Sequence, residues 1–404
     1  MIETLPNGTV LFHERVNHAP VAALYAVLDG GSRDDSPEQC GRTNLMARLI
    51  GKGTRSKNSD QLAEAFEALG ISFGAQAGQD FVSVGFQCIA DDFARAVELF
   101  SESLFEANFP WNEIDTERGR VLAEIRARED RPSSLAMKNL RGLLYSPHAY
   151  SRAVEGEADT VQKLTQVDLF DVQQSLATPA RMVVGVVGAV SRDTARDLIL
   201  KHFPVPQKPS APRVLADNVV PPRGGRTIVG RKVEQSFIAL GHRTMSTTDP
   251  DCAALKVATT VLGGGMSSRL FTELRDKRGL AYAVGATCSF NALNGSFVAY
   301  IGTKPGSRQE AEEGLWTEVR ALRDSPVDQE ELQRAKNYIT GNFLRDLETC
   351  RARAAQEAGD IALGLGEGYA QKWRDQILAV TSRDVMRVAN RCFLDPCVSI
   401  VQPE

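Results

Sequence analysis

The feature that most constrains this chain is an internal echo. Thr165-Gln166-Val167-Asp168 opens a polar helical stretch that leads into the apolar run Met182-Val183-Val184-Gly185-Val186-Val187. Thr381-Ser382-Arg383-Asp384 opens a second such stretch, which leads into Cys397-Val398-Ser399-Ile400-Val401. Each is a Thr-x-x-Asp helix start, where the hydroxyl caps the first turn and the acid faces the positive end of the helix dipole. An earlier pair repeats in the same order. Gly70-Ile71-Ser72-Phe73-Gly74-Ala75 follows a predicted helix over 59–69, and Gly279-Leu280-Ala281-Tyr282-Ala283-Val284 follows one over 267–277. Helix, glycine and strand are common neighbours in any α/β chain. Two echoes in one order point instead to a duplicated architecture.

A chain of 404 residues is also long enough for two cores. Pro204, Pro206, Pro209, Pro212, Pro221 and Pro222 crowd one stretch, followed by Gly224 and Gly225. That density predicts an extended linker. The expected division is therefore a first half over 1–207, a linker over 208–225 and a second half over 226–404.

Within each half, strands come first and long helices follow. Strands are expected over 21–28, 81–87, 236–241 and 295–302. Helices are expected over 92–106, 111–128, 309–323 and 328–347. Segregation of this kind predicts an α+β fold, two homologous halves each with a mostly antiparallel sheet packed against helices. It argues against a parallel doubly wound sheet.

The formal net charge of −4 gives no footprint for nucleic acid or an acidic membrane surface. No apolar run approaches the roughly 18 residues that span a bilayer. Met1 to Pro6 has none of the marks of a secretory leader, so the expectation is a cytoplasmic chain, with a leader lost upstream as the open alternative. Seven scattered cysteines read as buried free thiols rather than a disulfide framework. Five histidines are present, and no two fall three or four apart on a plausible helix.

Gly30-Gly31-Ser32-Arg33-Asp34 is followed by Gly41-Arg42-Thr43-Asn44-Leu45-Met46-Ala47-Arg48 and closed by Lys52-Gly53-Thr54. In the second half, Leu262-Gly263-Gly264-Gly265-Met266-Ser267-Ser268-Arg269-Leu270-Phe271 precedes Glu273, Arg275, Arg278, Gly279, Leu280 and Tyr282. These blocks resemble the pitrilysin and insulin-degrading-enzyme family, which includes the mitochondrial processing peptidases. The resemblance runs over essentially the whole chain and is most specific across 263–282. It is similar to the shorter bacterial members built from two half-size subunits.

In that family a helix carries H-x-x-E-H. Two histidines four apart share one zinc ion, and the glutamate serves as general base for the metal-bound water. Aligned on Gly41 and Gly53-Thr54, those positions hold Asn44, Ala47 and Arg48. An amide is a poor zinc ligand, a methyl group is no base, and a guanidinium cannot coordinate a metal. The family's third ligand matches Glu124. The resemblance thus implies a degenerate site with no zinc in this chain. It leads us to expect Arg48 paired with Glu124 in the metal's place, the alternative for Glu124 being an ordinary helix carboxylate.

The resemblance further implies that Arg275 and Tyr282 face the substrate carbonyl beside a partner's zinc. Both are donors of the kind that stabilise a developing oxyanion. The alternative is a surface arginine and a core tyrosine. Gly263, Gly264 and Gly265 would let backbone approach a bound chain, as a glycine-rich loop does in the non-catalytic processing-peptidase subunit. The expected function is a non-catalytic subunit of a heterodimeric zinc endopeptidase, with half of the peptide chamber. Its partners would be a homologous subunit with an intact motif, which brings the zinc, and an extended or unfolded peptide. The competing expectation is a non-enzymatic peptide-binding or scaffold homodimer. A peptidase using other residues is weaker, because no other histidine cluster exists.

Overall fold

The computed structural model describes residues 2–205 and 224–404. The linker expected over 208–225 lies outside the described residues except for Gly224 and Gly225, and Gly225 already opens a strand. The chain forms two compact units. One gathers Met1–Ile125, Arg152–Val214 and Arg345–Ala370. The other gathers Arg126–Ser151, Leu215–Leu344 and Gln371–Glu404.

The first unit holds a six-stranded sheet of β1 (Ile2–Thr4), β2 (Val10–Arg15), β3 (Val21–Asp29), β4 (Ser72–Ala77), β5 (Phe81–Ile89) and β6 (Met182–Gly188). Their order is β1-β2-β6-β3-β5-β4. Only the β2–β6 pairing is parallel. The second unit holds β7 (Gly225–Arg231), β8 (Ser236–Arg243), β9 (Ala283–Ser289), β10 (Ser296–Thr303) and β11 (Cys397–Pro403) in the order β7-β11-β8-β10-β9. Here only β7–β11 is parallel. Strand for strand, β7, β11, β8, β10 and β9 repeat β2, β6, β3, β5 and β4 with the same orientations. The duplication is therefore real at the level of topology, and the α+β class with mostly antiparallel sheets holds.

The last strand of each half enters the sheet between two others. A central strand covered on both faces has no solvent side, so it reads as a continuous apolar run rather than an alternation. Residues 182–187 and 397–401 are such runs, and both strands are almost entirely buried. The preceding helices, Gln166–Leu176 and Ser382–Cys392, both start in a complete capping box. Thr381 donates to the Asp384 carboxylate and accepts from its backbone N–H, and those bonds hold the Asp384 carboxyl below its ordinary range. Gly70 and Gly279 end their helices with φ of +58° and +61°, the left-handed turn that favours glycine.

One layer in each unit comes from the other sequence half. Helix Cys350–Ala362 lies on the first sheet, with Ala354 and Ala358 fully buried. A Cβ on Gly185 of β6 would meet the Ala354 carbonyl oxygen at 2.4 Å, so glycine is required for this approach. Helix Pro132–Tyr145 packs Leu135, Leu140 and Leu144 with Phe237, Ala239 and Val401 of the second sheet. Tyr145 Oη donates to the Gly295 carbonyl at 2.7 Å. Along the chain the strands of the first sheet lie within Ile2–Gly188 and those of the second within Gly225–Pro403, while each packed body takes one helical segment from the other half.

Candidate functional site

The helix Arg42–Leu49 carries the degenerate motif, and its ends are fixed by residues outside it. Its N-cap, Gly41, has φ of +96° and no side chain to cap with. Asp35 takes that role from six residues upstream. Its carboxylate accepts from Gly41 N at 3.1 Å, from Thr43 Oγ1 at 2.6 Å and from Arg42 Nε at 3.2 Å. Burial pushes the Asp35 carboxyl up, against the pull of the Thr43 and Arg42 bonds. At the far end, Gly53 has φ of +154°, and Thr54 Oγ1 donates to Glu102 at 2.6 Å. The Gly30–Asp34 block serves the same scaffold. Arg33 is buried and pairs with Asp80 and, at 3.4 Å, with Asp29. Sequence reading passed over Asp35 and Glu102, although a carboxylate ahead of an uncapped helix start is a readable signal.

On this platform Ala47 is buried in the core and Asn44 is buried with its Nδ2 unpartnered among the described residues. Arg48 reaches across to helix Trp111–Glu129. Its Nη1 donates to Glu124 Oε1 at 3.0 Å and its Nη2 to Glu124 Oε2 at 2.5 Å. The expected pair forms, and it is bidentate, the strongest arrangement open to a guanidinium and a carboxylate. A third member was not foreseen. Glu117, two turns before Glu124 on the same helix, sits 3.9 Å from Arg48 Nη1 and also pairs with Arg120. An i, i+7 carboxylate on one helix face was the available signal.

These donors do not fit a zinc ion. An amide, a methyl group and a guanidinium hold the three motif positions, and the two carboxylates face a fixed cation. Among the described residues, no group of three or more His, Cys, Asp or Glu side chains is placed to hold a metal. The seven cysteines are free, and burial pushes the Cys88 and Cys252 thiols up to about 12, far from a ligating thiolate.

The second-half residues lie apart from this cluster in the chain and are exposed. The segment Phe271–Lys277 is a π-helix rather than the ordinary helix expected over 267–277. It carries Arg275 near its end. Tyr282 stands just before β9, about half exposed, with its N–H donating to the Gly302 carbonyl at 2.9 Å. Among the described residues no hydrogen bond joins Arg275 to Tyr282, and both residues are exposed.

The glycine run divides by position. A Cβ on Gly263 would lie 2.1 Å from Ala286 N of β9, and one on Gly264 would lie 2.7 Å from Thr260 Cα. Those two glycines are required by the chain's own packing. A Cβ on Gly265 would meet only Tyr338, at 3.6 Å. Gly265 lines a cavity of about 320 Å³ with Thr260, Ser267, Glu331, Arg334 and Tyr338.

No helix among the described residues is long and apolar enough to cross a membrane. Comparison with known proteins agrees with the architecture above. Residues 11–158 match the model of the insulinase peptidases of family M16, and residues 163–339 match that of the M16 inactive domain. An uncharacterized zinc protease of Streptomyces coelicolor is 28% identical, over 99% of this chain and 89% of that protein. One from Bacillus subtilis is 25% identical, over 99% of this chain and 97% of that protein. Among solved structures, an M16 inactive-domain protein from Pseudomonas fluorescens has a TM-score of 0.92 at 22% identity, covering 100% of this chain and 98% of that one. A protease from Helicobacter pylori also has a TM-score of 0.92 at 22% identity, covering 100% and 99%. With a duplicated fold of this topology and both family models matched in order, the chain belongs to the insulinase family of peptidases, M16.

Proposed function

We propose that this chain is the non-catalytic subunit of a two-chain zinc endopeptidase. The observation that carries the reading is the Arg48–Glu124 ion pair standing where the family holds its metal. A homologous subunit with an intact H-x-x-E-H motif would bring the zinc, which activates the water that attacks the peptide. This chain would contribute Arg275 and Tyr282 as donors to the substrate carbonyl, and half of the peptide chamber. The exposed edge strand β9 offers a backbone ladder to an extended peptide. Gly265 and its cavity, between the 260–268 segment and helix Gln329–Asp346, would give a bound chain room to approach backbone. We place the complex in the cytoplasm.

A donor that strengthens its bond only as the oxyanion forms acts on the transition state more than on binding. Its loss therefore falls mainly on kcat. Purification of the chain from its native cell is expected to bring down a motif-bearing homologue. In that complex, Tyr282→Phe and Arg275→Lys should each lower kcat on a fluorogenic peptide by roughly 100- to 1,000-fold. Assembly, followed by size exclusion, should be unchanged. Recovery of a self-associated chain alone would favour the scaffold homodimer instead, and full activity in both variants would return Arg275 and Tyr282 to a surface arginine and a structural tyrosine.

A further inference from the structure

The basic residues around 269–278 are engaged in different ways. Arg269 is held by Glu331 in a bidentate pair, with both bonds at 2.7 Å. Lys277 donates to Glu273 at 2.6 Å, and Arg278 donates to Glu310 at 2.8 Å. Their N–H groups are committed to carboxylates. Arg275, in the middle of the same segment, makes no ion pair among the described residues. Its guanidinium carbon lies over the Phe271 ring, 4.7 Å from the centroid.

The two modes of holding an arginine differ in what they leave free. A carboxylate binds the in-plane N–H donors and uses them up. An aromatic ring binds the face of the guanidinium through its quadrupole and leaves the five donors in the plane untouched. Phe271 therefore fixes where Arg275 sits without spending what Arg275 has to offer. The backbone supports the same arrangement. Phe271 and Arg275 are four residues apart in the π-helix Phe271–Lys277, which brings them to one face. Leu274, between them, is buried, and Gly314 leaves room for it, since a Cβ there would lie 2.5 Å from Leu274 Cδ2. An anchored segment with one exposed cation, free of ion pairs among the described residues and resting on a ring, is a presented donor.

We infer that Phe271 is the positioning residue for Arg275, holding the guanidinium by its face so that its N–H edge is free for a peptide carbonyl oxygen. This deepens the proposed function and rests on it for the ligand. Without the ring, Arg275 would spread over rotamers or swing to a nearby acid, and part of its order would have to be recovered on every turnover.

The experiment has two readouts. On the purified chain, ¹⁵Nε relaxation of the Arg275 side chain, assigned with Arg275→Lys, reports its order. On the complex with the co-purified motif-bearing subunit, kcat and KM on a fluorogenic peptide report its use. Phe271→Leu is expected to lower the Arg275 order parameter and to lower kcat about 2- to 5-fold, the rate equivalent of an exposed cation–π contact. KM should change less. Phe271→Trp, which keeps an aromatic face, should retain both readouts, and Phe271→Met serves where the leucine variant does not fold. Unchanged order and kcat in the aliphatic variants, with Arg275→Ala defective, would overturn the positioning role and leave the proposed function standing. Full activity of Arg275→Ala would overturn the positioning role together with the donor role proposed for Arg275, and failure to recover any motif-bearing partner would overturn the proposed function itself.

Discussion

Asp360 lies on helix Cys350–Ala362 with its Oδ1 held by Gln356 at 2.9 Å and its Oδ2 buried without a partner among the described residues. Burial pushes its carboxyl up to about 6. His242 lies in β8, its Nδ1 donating to the Leu394 carbonyl at 3.0 Å and its Nε2 buried without a partner among the described residues. Burial pulls its imidazole down to about 4. The two groups act on stability with opposite signs over one pH range. A raised carboxyl binds its proton more tightly when folded, so its contribution is lost as pH rises from about 4 to about 6. A lowered histidine binds its proton less tightly when folded, so its contribution is lost as pH falls from about 6.5 to about 4. Each swing is on the order of 3 kcal/mol, and the pair largely cancels. Asp360→Asn is expected to raise stability above pH 6 and to make it fall steeply between pH 6 and 4. Urea midpoints across that range check it, and a profile parallel to the parent's would reject it. At the motif, Arg48 holds Glu124 directly and Glu117 more loosely. Arg48→Met leaves two facing carboxylates and is expected to destabilise by about 1–2 kcal/mol, discounted for partial exposure. In an Glu124→Gln background the loss should shrink by about 1 kcal/mol. A coupling indistinguishable from zero would leave the pair a surface contact without weight.

Elements carry the glycine question. Gly263 ends helix Cys252–Gly263 against β9, and Gly265 faces a cavity. Gly263→Ala should therefore destabilise by about 2–3 kcal/mol through overpacking, whereas Gly265→Ala should change stability by less than about 0.5 kcal/mol. Thermal unfolding of the two variants checks the contrast, and equal losses would refute it. Sequence alone could not make this distinction, because three adjacent glycines look alike until something packs on them. Other parts were legible for stated reasons. Thr165-x-x-Asp168 and Thr381-x-x-Asp384 are local chemistry, so both caps form where they are read. The strands over 21–29, 81–89, 236–243 and 296–303 follow their patterns to within about two residues. Arg48 and Glu124 were legible only through the family's spacing, since nothing local joins positions 76 residues apart. The π-helix at Phe271–Lys277 was not legible, because one wider turn leaves the apolar pattern almost unaltered. The Phe271–Arg275 contact is an i, i+4 pair that either kind of helix brings to one face, but the sequence does not say that this face is exposed.

At the scale of the whole molecule, the exchanged helices decide what can fold by itself. The apolar stripe of Pro132–Tyr145 says that the helix is covered, but not by which sheet, and the chain order suggests the wrong one. In the structure this helix completes the second sheet, where a Cβ on Gly241 of β8 would meet Leu140 Cδ2 at 2.9 Å. Helix Cys350–Ala362 likewise completes the first sheet, where Ala354 and Phe12, Val16, Ala23 and Val187 form one buried cluster. A fragment of residues 1–207 would expose the apolar face of the first sheet and carry an unpartnered helix. A fragment of residues 226–404 would do the reverse. Each sheet lacks burial of several large side chains, at roughly 1.5–3 kcal/mol apiece, against a total stability of about 5–15 kcal/mol for a domain. Neither fragment is therefore expected to reach a native state alone, although each contains every strand of one sheet. Mixed, they should complement, since each carries the helix the other needs. The measurement is near-ultraviolet circular dichroism and urea unfolding of each fragment alone and of the equimolar mixture. Two fragments that unfold cooperatively by themselves, each with the stability of a normal domain, would show that the exchanged helices decorate the sheets rather than complete them.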